Sequence, residues 1–346
     1  MRWDIDPRLG TWGAIELRWY GLFFATGLLL CAWKAPKYFS LWGLPKQHAE
    51  RLTLWVPIGM LLGAHYIHLI FYEQDGLFDL SFRVNSWWPL DVDVGRFWAL
   101  GSGLASHGGG LGCVLAVWLF WRLYGQKLGI SFFRYADAVM ITSIFVYPFV
   151  RLGNFFNSEI LGRPTDGPWG VIFARIDDIP RHPVVLYEAF FYFAELAFAV
   201  LWFQPRYVRK LRPGATFFLF LAIHFSLRFI AEFAKDAQHV DEGWALNMGH
   251  LLSLPIILGC SYMILFTKRF NIRTPLTDAE KAYIEQSARS AAAEEHRLDV
   301  EAAIKKGEPP PPPPAGLVDD APKATAKGAP KKKPSKKSGG ERRADT

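Results

Sequence analysis

Seven long apolar stretches occupy most of the first 270 residues of this 346-residue chain. A helix needs about 20 mostly apolar residues to cross the hydrocarbon core of a bilayer. The stretches lie near residues 17–35, 52–72, 98–121, 136–153, 183–203, 214–234 and 246–267. The sequence therefore predicts an all-α integral membrane protein with about seven transmembrane helices. The short fourth stretch and the glycine-rich third are candidates for broken or re-entrant helices.

Lysine and arginine are concentrated in alternate connections between these stretches. The connections after the first, third and fifth stretches are basic, whereas those after the second and sixth carry clusters of Asp and Glu. Basic connections tend to stay on the cytoplasmic side of a membrane. We therefore expect the N-terminus outside and the C-terminus in the cytoplasm, where Lys268, Arg269 and Arg273 follow the last stretch.

The last 70 residues have a different composition, rich in Ala, Pro, Lys and Glu, and cannot bury a core. We expect a surface helix over about 277–306, a polyproline run at 309–314 and a structureless basic segment at 323–337. The chain thus divides into a membrane domain, 1–275, and a cytoplasmic tail, 276–346, partly helical and then disordered. The tail's basic charge suits anionic lipid headgroups, although a solvated, dispensable extension is the simpler interpretation.

Cysteine spacing argues against a metal centre and against a disulfide framework. Cys31, Cys113 and Cys260 each lie in an apolar run without a CxxC or Cys/His pattern, so we expect small core residues. No cofactor, metal or nucleic-acid partner is predicted. The acidic residues Asp4 and Asp6 near the start do not fit a cleavable signal peptide, and none is expected.

Four clusters of polar residues interrupt or border the apolar stretches. Charged groups at membrane depth are costly and usually face a protein interior or a water-filled cavity. The clusters are residues 18–21 (RWYG), 106–112 (SHGGGLG), 151–159 (RLGNFFNSE) and 228–232 (RFIAE). Taken alone, the first favours an interfacial aromatic belt. In the second, small-residue packing explains the glycines, whereas His107 is a candidate for proton transfer near neutral pH.

The third cluster is the richest in polar groups. If it is helical, Arg151, Asn154 and Ser158 share a face with Glu159 beside them, and that face suits an anion. In the fourth cluster, Arg228 and Glu232 have the i, i+4 spacing of an intrahelical ion pair, which competes with a functional role. Guanidinium groups bind phosphate oxygens bidentately. The two arginines therefore favour a phospholipid headgroup as ligand.

Residues 151–162, RLGNFFNSEILG, closely resemble the signature R-x-G-N-F-x-N-x-E-x-x-G of the prolipoprotein diacylglyceryl transferases. Other segments similar to that family follow in the same order. They are Tyr20-Gly21, residues 107–109 (HGG), 182–188 (HPVVLYE), 228–233 (RFIAEF) and 248–255 (MGHLLSLP). The resemblance covers about residues 12–270 and leaves the tail outside it.

The resemblance implies an enzyme that transfers the diacylglyceryl group of phosphatidylglycerol to the lipobox cysteine of prolipoproteins, forming a thioether and releasing glycerol phosphate. Its partners would be phosphatidylglycerol, prolipoprotein signal peptides and membrane lipids. It would reside in the bacterial inner membrane with its site toward the periplasm. By matching position, the implied catalytic residues are His107, Arg151 and Arg228, and the implied substrate-binding residues are Tyr20, Asn154, Glu159, Gly162 and Glu232.

The chain departs from the family pattern at several positions. His65 and His68 occupy places where the family usually has an arginine and a tyrosine, and His250 replaces a glutamine. Val184 and Val185 stand in the place of Ser-Gln, and the stretch after Phe233 is altered and shortened.

Two other function classes compete with this interpretation. A lipid transporter would also use arginines near the bilayer interface, but it predicts internal repeats, and none is found. An intramembrane serine protease needs a positioned nucleophile, and Ser102 and Ser106 lack a GxSxG-type context.

Overall fold

Helices dominate the computed structural model, which describes residues 1–12, 15–87, 90–97, 106–236 and 246–314. Ser102, part of the third apolar stretch, the segment 237–245 and the basic run 323–337 lie outside these ranges. The helices are α1 (Trp19–Leu41), α2 (Lys46–Tyr72), α3 (Ser106–Phe120), α4 (Phe132–Ser143), α5 (Tyr147–Phe156), α6 (Val184–Ala197), α7 (Gln204–Tyr207), α8 (Ala215–Glu232), α9 (Met248–Phe266) and α10 (Asp278–Lys306).

Five helical segments in the described ranges are long and apolar enough to cross a membrane. They are α2, the combined segment Phe132–Phe156, the continuous segment Val184–Tyr207, α8 and α9. Each coincides with a predicted span, so the chain is a multi-pass, mainly helical membrane protein. The first predicted span forms α1, and the third is described only from Ser106 onward.

The fourth predicted span is broken, as its short apolar stretch suggested. Helix α4 ends at Ser143, and α5 begins at Tyr147 after a turn. Pro148 lies in the first turn of α5, where a residue without an N–H group is tolerated. The break starts a new, short helix whose second half, from Arg151 to Phe156, carries the first part of the signature.

Short strands, which the all-α prediction did not include, border the helices. The strands are β1 (Arg2–Trp3), β2 (Arg8–Trp12), β3 (Ile15–Arg18), β4 (Phe82–Trp87), β5 (Leu90–Val94), β6 (Val171–Phe173) and β7 (Pro180–Arg181). β2–β3 and β4–β5 are antiparallel hairpins, and β6 pairs parallel to β1 and antiparallel to β7. The Trp3 ring lies 4.4 Å from that of Phe155, so the N-terminal strand is anchored against the end of α5.

Helices α2 and α3 approach each other through glycines. Gly59 and Gly63 on α2 face Gly108 and Gly112 on α3, and each pair has the four-residue spacing of a small-residue contact. A Cβ added at Gly108 would overlap the carbonyl oxygen of Gly63, and one at Gly112 would overlap that of Gly59. Gly108 and Gly112 of the 106–112 cluster therefore serve helix packing, whereas a Cβ at Gly110 would meet open space.

Helix α10 is attached to the connections at one end of the membrane helices. The buried Arg212 donates to the Glu280 carboxylate at 2.6 and 3.1 Å, and it also donates to carbonyl groups in the α9–α10 connection. Lys46, at the start of α2, lies 2.9 Å from Asp299. The first part of the tail is thus bound to the membrane domain, in contrast to the simpler interpretation of a solvated extension.

The Glu280–Arg212 pair should make the attachment of α10 sensitive to acid. Hydrogen bonds from Arg212 hold the pKa of Glu280 below its ordinary value. A lowered folded-state pKa contributes stability above the unfolded-state pKa, and this contribution is lost as the pH falls through the folded-state pKa. Because solvent screens this partly exposed carboxylate, we expect Glu280→Gln, which can still cap α10, to lower the free energy of unfolding by about 1 kcal/mol at pH 7. The variant should also lose less stability on acidification.

Thermal unfolding of the purified protein between pH 7 and pH 3 measures both effects. Asp278→Asn is the matched control, because Asp278 forms an exposed pair with Lys281 on the same helix. Equal unfolding curves for the two variants would contradict the prediction.

Candidate active site

A buried network of alternating charges joins the ends of α5, α6 and α8. Arg151 Nε lies 3.1 Å from Glu188 Oε2, and Lys235 Nζ lies 2.9 Å from Glu188 Oε1. Lys235 Nζ also lies 2.9 Å from Glu232 Oε2. The Glu188 side chain is fully buried, so its charge depends on the two cations for compensation.

A second branch of the network leads from Arg151 through the signature residues. Arg151 Nη1 donates to Asn154 Oδ1 at 3.4 Å, and Asn154 Nδ2 donates to Glu159 Oε2 at 2.8 Å. Asn157 Nδ2 donates to the other oxygen of Glu159 at 3.0 Å. The structure thus brings the predicted residues Arg151, Asn154 and Glu159 together.

The prediction that Ser158 shares the face of Arg151 is wrong. Helix α5 ends at Phe156, and Ser158 has a φ of 56°, in the left-handed region that non-glycine residues rarely adopt. Its hydroxyl accepts a hydrogen bond from Arg175 Nη2 at 2.8 Å. The chain therefore leaves the helix before Ser158, and only the first part of the signature follows helical spacing.

Tyr20 and Gly162 occupy close contacts at the edge of the network. A Cβ at Gly153 would lie 2.9 Å from Tyr20 Cδ2, so α1 and α5 meet at the glycine between Arg151 and Asn154. Gly162 forms a β-bridge with Lys235, and a Cβ there would overlap the carbonyl oxygen of His182. The last glycine of the signature thus packs against the segment that carries Lys235.

Arg228 and Glu232 do not form the intrahelical pair that their spacing permits. Glu232 pairs with Lys235 instead, and a Cβ at Gly249 would overlap the Glu232 carboxylate. Within the described ranges, half-buried Arg228 has no ion-pair or hydrogen-bond partner. It is therefore a cation available to an incoming anion.

The histidines take different positions. His107 lies in the first turn of α3, but its side chain lies outside the described part of the structure. Buried His65 has its Nε2 3.3 Å from the carbonyl oxygen of Phe97, and His68 Nε2 lies 3.9 Å from Glu73. His250 Nδ1 accepts from the backbone N–H of Asn247 at 3.0 Å, which caps α9.

The described cysteines and acidic side chains form no visible metal centre. Cys31, Cys113 and Cys260 are free thiols. In the ranges that the structure covers, no group of three His, Cys, Asp or Glu side chains is placed to hold a metal ion.

Comparison with known proteins places the chain in a family. Residues 7–266 match the family described as prolipoprotein diacylglyceryl transferase. The chain belongs to this family. It is 39% identical over 268 residues to the phosphatidylglycerol–prolipoprotein diacylglyceryl transferase of Tolumonas auensis, which covers 77% of the chain and 97% of the relative. The identity to the enzyme of the same name from Bacteroides fragilis is 32% over 281 residues, or 79% and 98% of the two chains.

A third diacylglyceryl transferase, from Chloroherpeton thalassium, is 35% identical over 258 residues, which cover 74% of this chain and 90% of the relative. Helix α10 lies beyond the residues that match the family.

Sequence reasoning missed two members of the network. Lys235 follows the point where the family resemblance becomes irregular, although its i, i+3 spacing from Glu232 is a pairing signal. Glu188 belongs to the segment 182–188 that resembles the family, but the resemblance as stated assigns it no role. The available signal was an acidic residue inside the predicted span 183–203, near its first edge.

Removing the shared carboxylate should destabilise the protein strongly. Glu188→Gln leaves Arg151 and Lys235 buried without a common anion, and breaking a buried ion pair typically costs about 3–5 kcal/mol. Thermal unfolding of the purified variant measures this loss. Asp178→Asn, which removes an exposed pair with Arg2, is expected to cost less than about 1 kcal/mol. A Glu188 variant as stable as this control would contradict the conclusion that the buried Glu188 ion pairs stabilise the fold.

Proposed function

We propose that this chain transfers the diacylglyceryl group of phosphatidylglycerol to the cysteine thiol of prolipoproteins. The observation that carries the proposal is the Arg151 network in a chain that belongs to this transferase family. Arg151 is fixed by Glu188, and Arg228 is a cation without a protein partner among the described residues. Two guanidinium groups at the ends of membrane helices suit a phospholipid phosphate.

The proposed reaction is a displacement at the terminal glycerol carbon of the diacylglyceryl group. The cysteine thiolate forms a C–S bond to that carbon, the C–O bond to phosphate breaks, and glycerol phosphate leaves with the electron pair. A free thiol has a pKa of about 8.5 and must lose its proton near neutral pH. We assign His107 as the base, since imidazole accepts a proton in this range.

In the proposed site, each remaining residue acts on the lipid phosphate or positions a group that does. Arg151 and Arg228 bind the phosphate and stabilise the negative charge that grows on it as the bond breaks. Asn154 and Glu159 hold the guanidinium of Arg151 from one side. Tyr20, Gly162 and Glu232 complete the substrate-binding surface, with Gly162 keeping the Lys235 segment close.

The proposed topology has seven spans, with the N-terminus outside and α10 in the cytoplasm of a bacterial cell. At 1.5 Å per residue, the 23-residue α1 measures about 35 Å, long enough to span. The contacts of α10 involve Lys46 and Arg212 in basic connections, whereas the network joins the opposite ends of α5, α6 and α8. This supports a site that opens toward the periplasmic side of the inner membrane.

A direct assay tests the arginine assignment. Purified protein is incubated in vesicles of labelled phosphatidylglycerol with a lipobox peptide, and covalent label on the cysteine is measured. Lys cannot reproduce the bidentate contact of a guanidinium, so Arg151→Lys and Arg228→Lys should each lower the rate about 100- to 1,000-fold. Lys268→Ala, beyond the far end of α9, should keep the parent rate.

Label movement between leaflets without a cysteine adduct would favour the lipid-transporter alternative. Equal rates for the arginine variants and the Lys268 variant would refute the phosphate-binding role.

The assignment of His107 as base predicts a pH-dependent defect. His107→Ala should lower transfer about 100- to 10,000-fold at pH 7, and raising the pH toward the thiol pKa of about 8.5 should restore part of it, since the peptide thiol then ionises unaided. The pH–rate profile of the folded variant measures this recovery. His296→Ala on α10 is the control, and a parent-like profile for His107→Ala would remove His107 from the mechanism.

A further inference from the structure

A buried hydrogen bond between a carboxylate and an imidazole lies deeper in the helices than the Arg151 network. Glu195 Oε2 on α6 lies 3.0 Å from His224 Nδ1 on α8, and the Glu195 side chain is completely buried. Glu195 comes eleven residues after the start of α6, and His224 comes eight before the end of α8. At 1.5 Å per residue, Glu195 lies about 16 Å along the axis from the start of α6, and His224 lies about 12 Å from the end of α8. Ionisable groups so far inside a membrane usually have a function.

The pair continues the polar faces that carry the network. On α6, Glu188, Tyr192 and Glu195 recur at four and three residues, and on α8, His224, Arg228 and Glu232 recur at four. These spacings place each set on one side of its helix. The Glu195–His224 contact connects α6 with α8, and the Glu188–Lys235 contact connects α6 with the residues just after α8. The polar faces of the two helices therefore lie against each other and form one continuous polar interface.

Tyr192 connects the deep pair to Arg151. Its ring lies stacked on that of His224, with 4.5 Å between centroids and 23° between planes. The guanidinium carbon of Arg151 lies 5.9 Å from the centroid of the same Tyr192 ring, within the range of a cation–π attraction. Tyr192 is buried, so its ring is held between His224 and Arg151 with almost no contact with solvent.

His224 is held in turn from several directions. The ring of Tyr147, on α5, lies 4.4 Å from it, and the Tyr147 hydroxyl is hydrogen-bonded to Ser143 Oγ at 2.8 Å. Rotating the imidazole would break the Glu195 contact and disturb its packing against Tyr147 and Tyr192. The fixed imidazole in turn holds the Tyr192 ring, which the Arg151 guanidinium contacts.

We propose that Glu195 and His224 are positioning residues for the transfer reaction, acting through Tyr192 on the orientation of the Arg151 guanidinium. This inference rests on the proposed function. Glu188 lies against Arg151 Nε and Asn154 accepts from its Nη1, and the Tyr192 ring adds a further constraint on the plane of the guanidinium. A group that binds a phosphate bidentately loses effectiveness when that plane tilts, and an error of about 1 Å at a reacting centre can cost 100-fold in rate.

A double-mutant cycle separates positioning from a purely structural role. Glu195→Gln and His224→Gln are made in the parent and in an Arg151→Lys background, and kcat and KM for the lipobox peptide are measured in phosphatidylglycerol vesicles. In the parent, each is expected to lower kcat about 10- to 100-fold with little change in KM. In the Arg151→Lys background, each should change kcat less than about twofold.

Ser226→Ala is the matched control. Ser226 lies between His224 and Arg228 in sequence, and its hydroxyl donates to the Ala222 carbonyl of its own helix. It should keep parent kinetics in both backgrounds. Should a single variant fail to fold, Glu195→Gln with His224→Gln gives a neutral pair without an uncompensated buried charge, and the same cycle is run with it.

Equal losses of kcat in both backgrounds, or no loss in the parent, would overturn the positioning role while leaving the transfer function intact. A parent protein that attaches no label to the peptide would instead overturn the proposed function.

Discussion

The structure around the site depends on one buried carboxylate. Glu188 lies between Arg151 and Lys235, and these three residues come from α6, α5 and the segment after α8. A buried anion requires both cations nearby, and each cation in turn requires the anion. This mutual dependence fixes the relative positions of three helix ends. It also holds Arg151 in place, whereas Arg228 on α8 has no ion-pair or hydrogen-bond partner among the residues that the structure describes.

The two ends of the membrane helices are built differently. At the end of the network, polar side chains from several helices converge, and short strands such as β1 and β6 connect the N-terminus to the segment after α5. At the other end, α10 crosses the basic connections and is bound through Arg212 and Lys46. Helix α10 lies beyond the residues that match the family, so this attachment involves a part of the chain outside the family match.

Much of this architecture could be predicted from the sequence, because apolar length and charge bias are properties of single segments. The helices α2, α8 and α9 and the contact between Arg151 and Asn154 belong to this class. The pairing of Lys235 with Glu188 could not be predicted, since it depends on which helix ends meet in three dimensions. The predicted face of Ser158 is wrong for a related reason: the spacing is helical, but α5 ends at Phe156 and the backbone of Ser158 itself is left-handed. The strands were missed because two to six residues are too few for an alternating pattern.

The glycine contact between α2 and α3 bears on how sequence change is tolerated near the site. Gly63 and Gly108 meet backbone to backbone, so main-chain atoms rather than side-chain shapes set the depth and rotation of α3 at that point. His107 is the residue before Gly108, so the position of its Cα is set by the same main-chain contact. Side chains elsewhere on α2 can then be exchanged without moving His107 along its helix. His65 and His68 lie on α2 two and five residues after Gly63, so they are side chains whose exchange such a main-chain contact would accommodate.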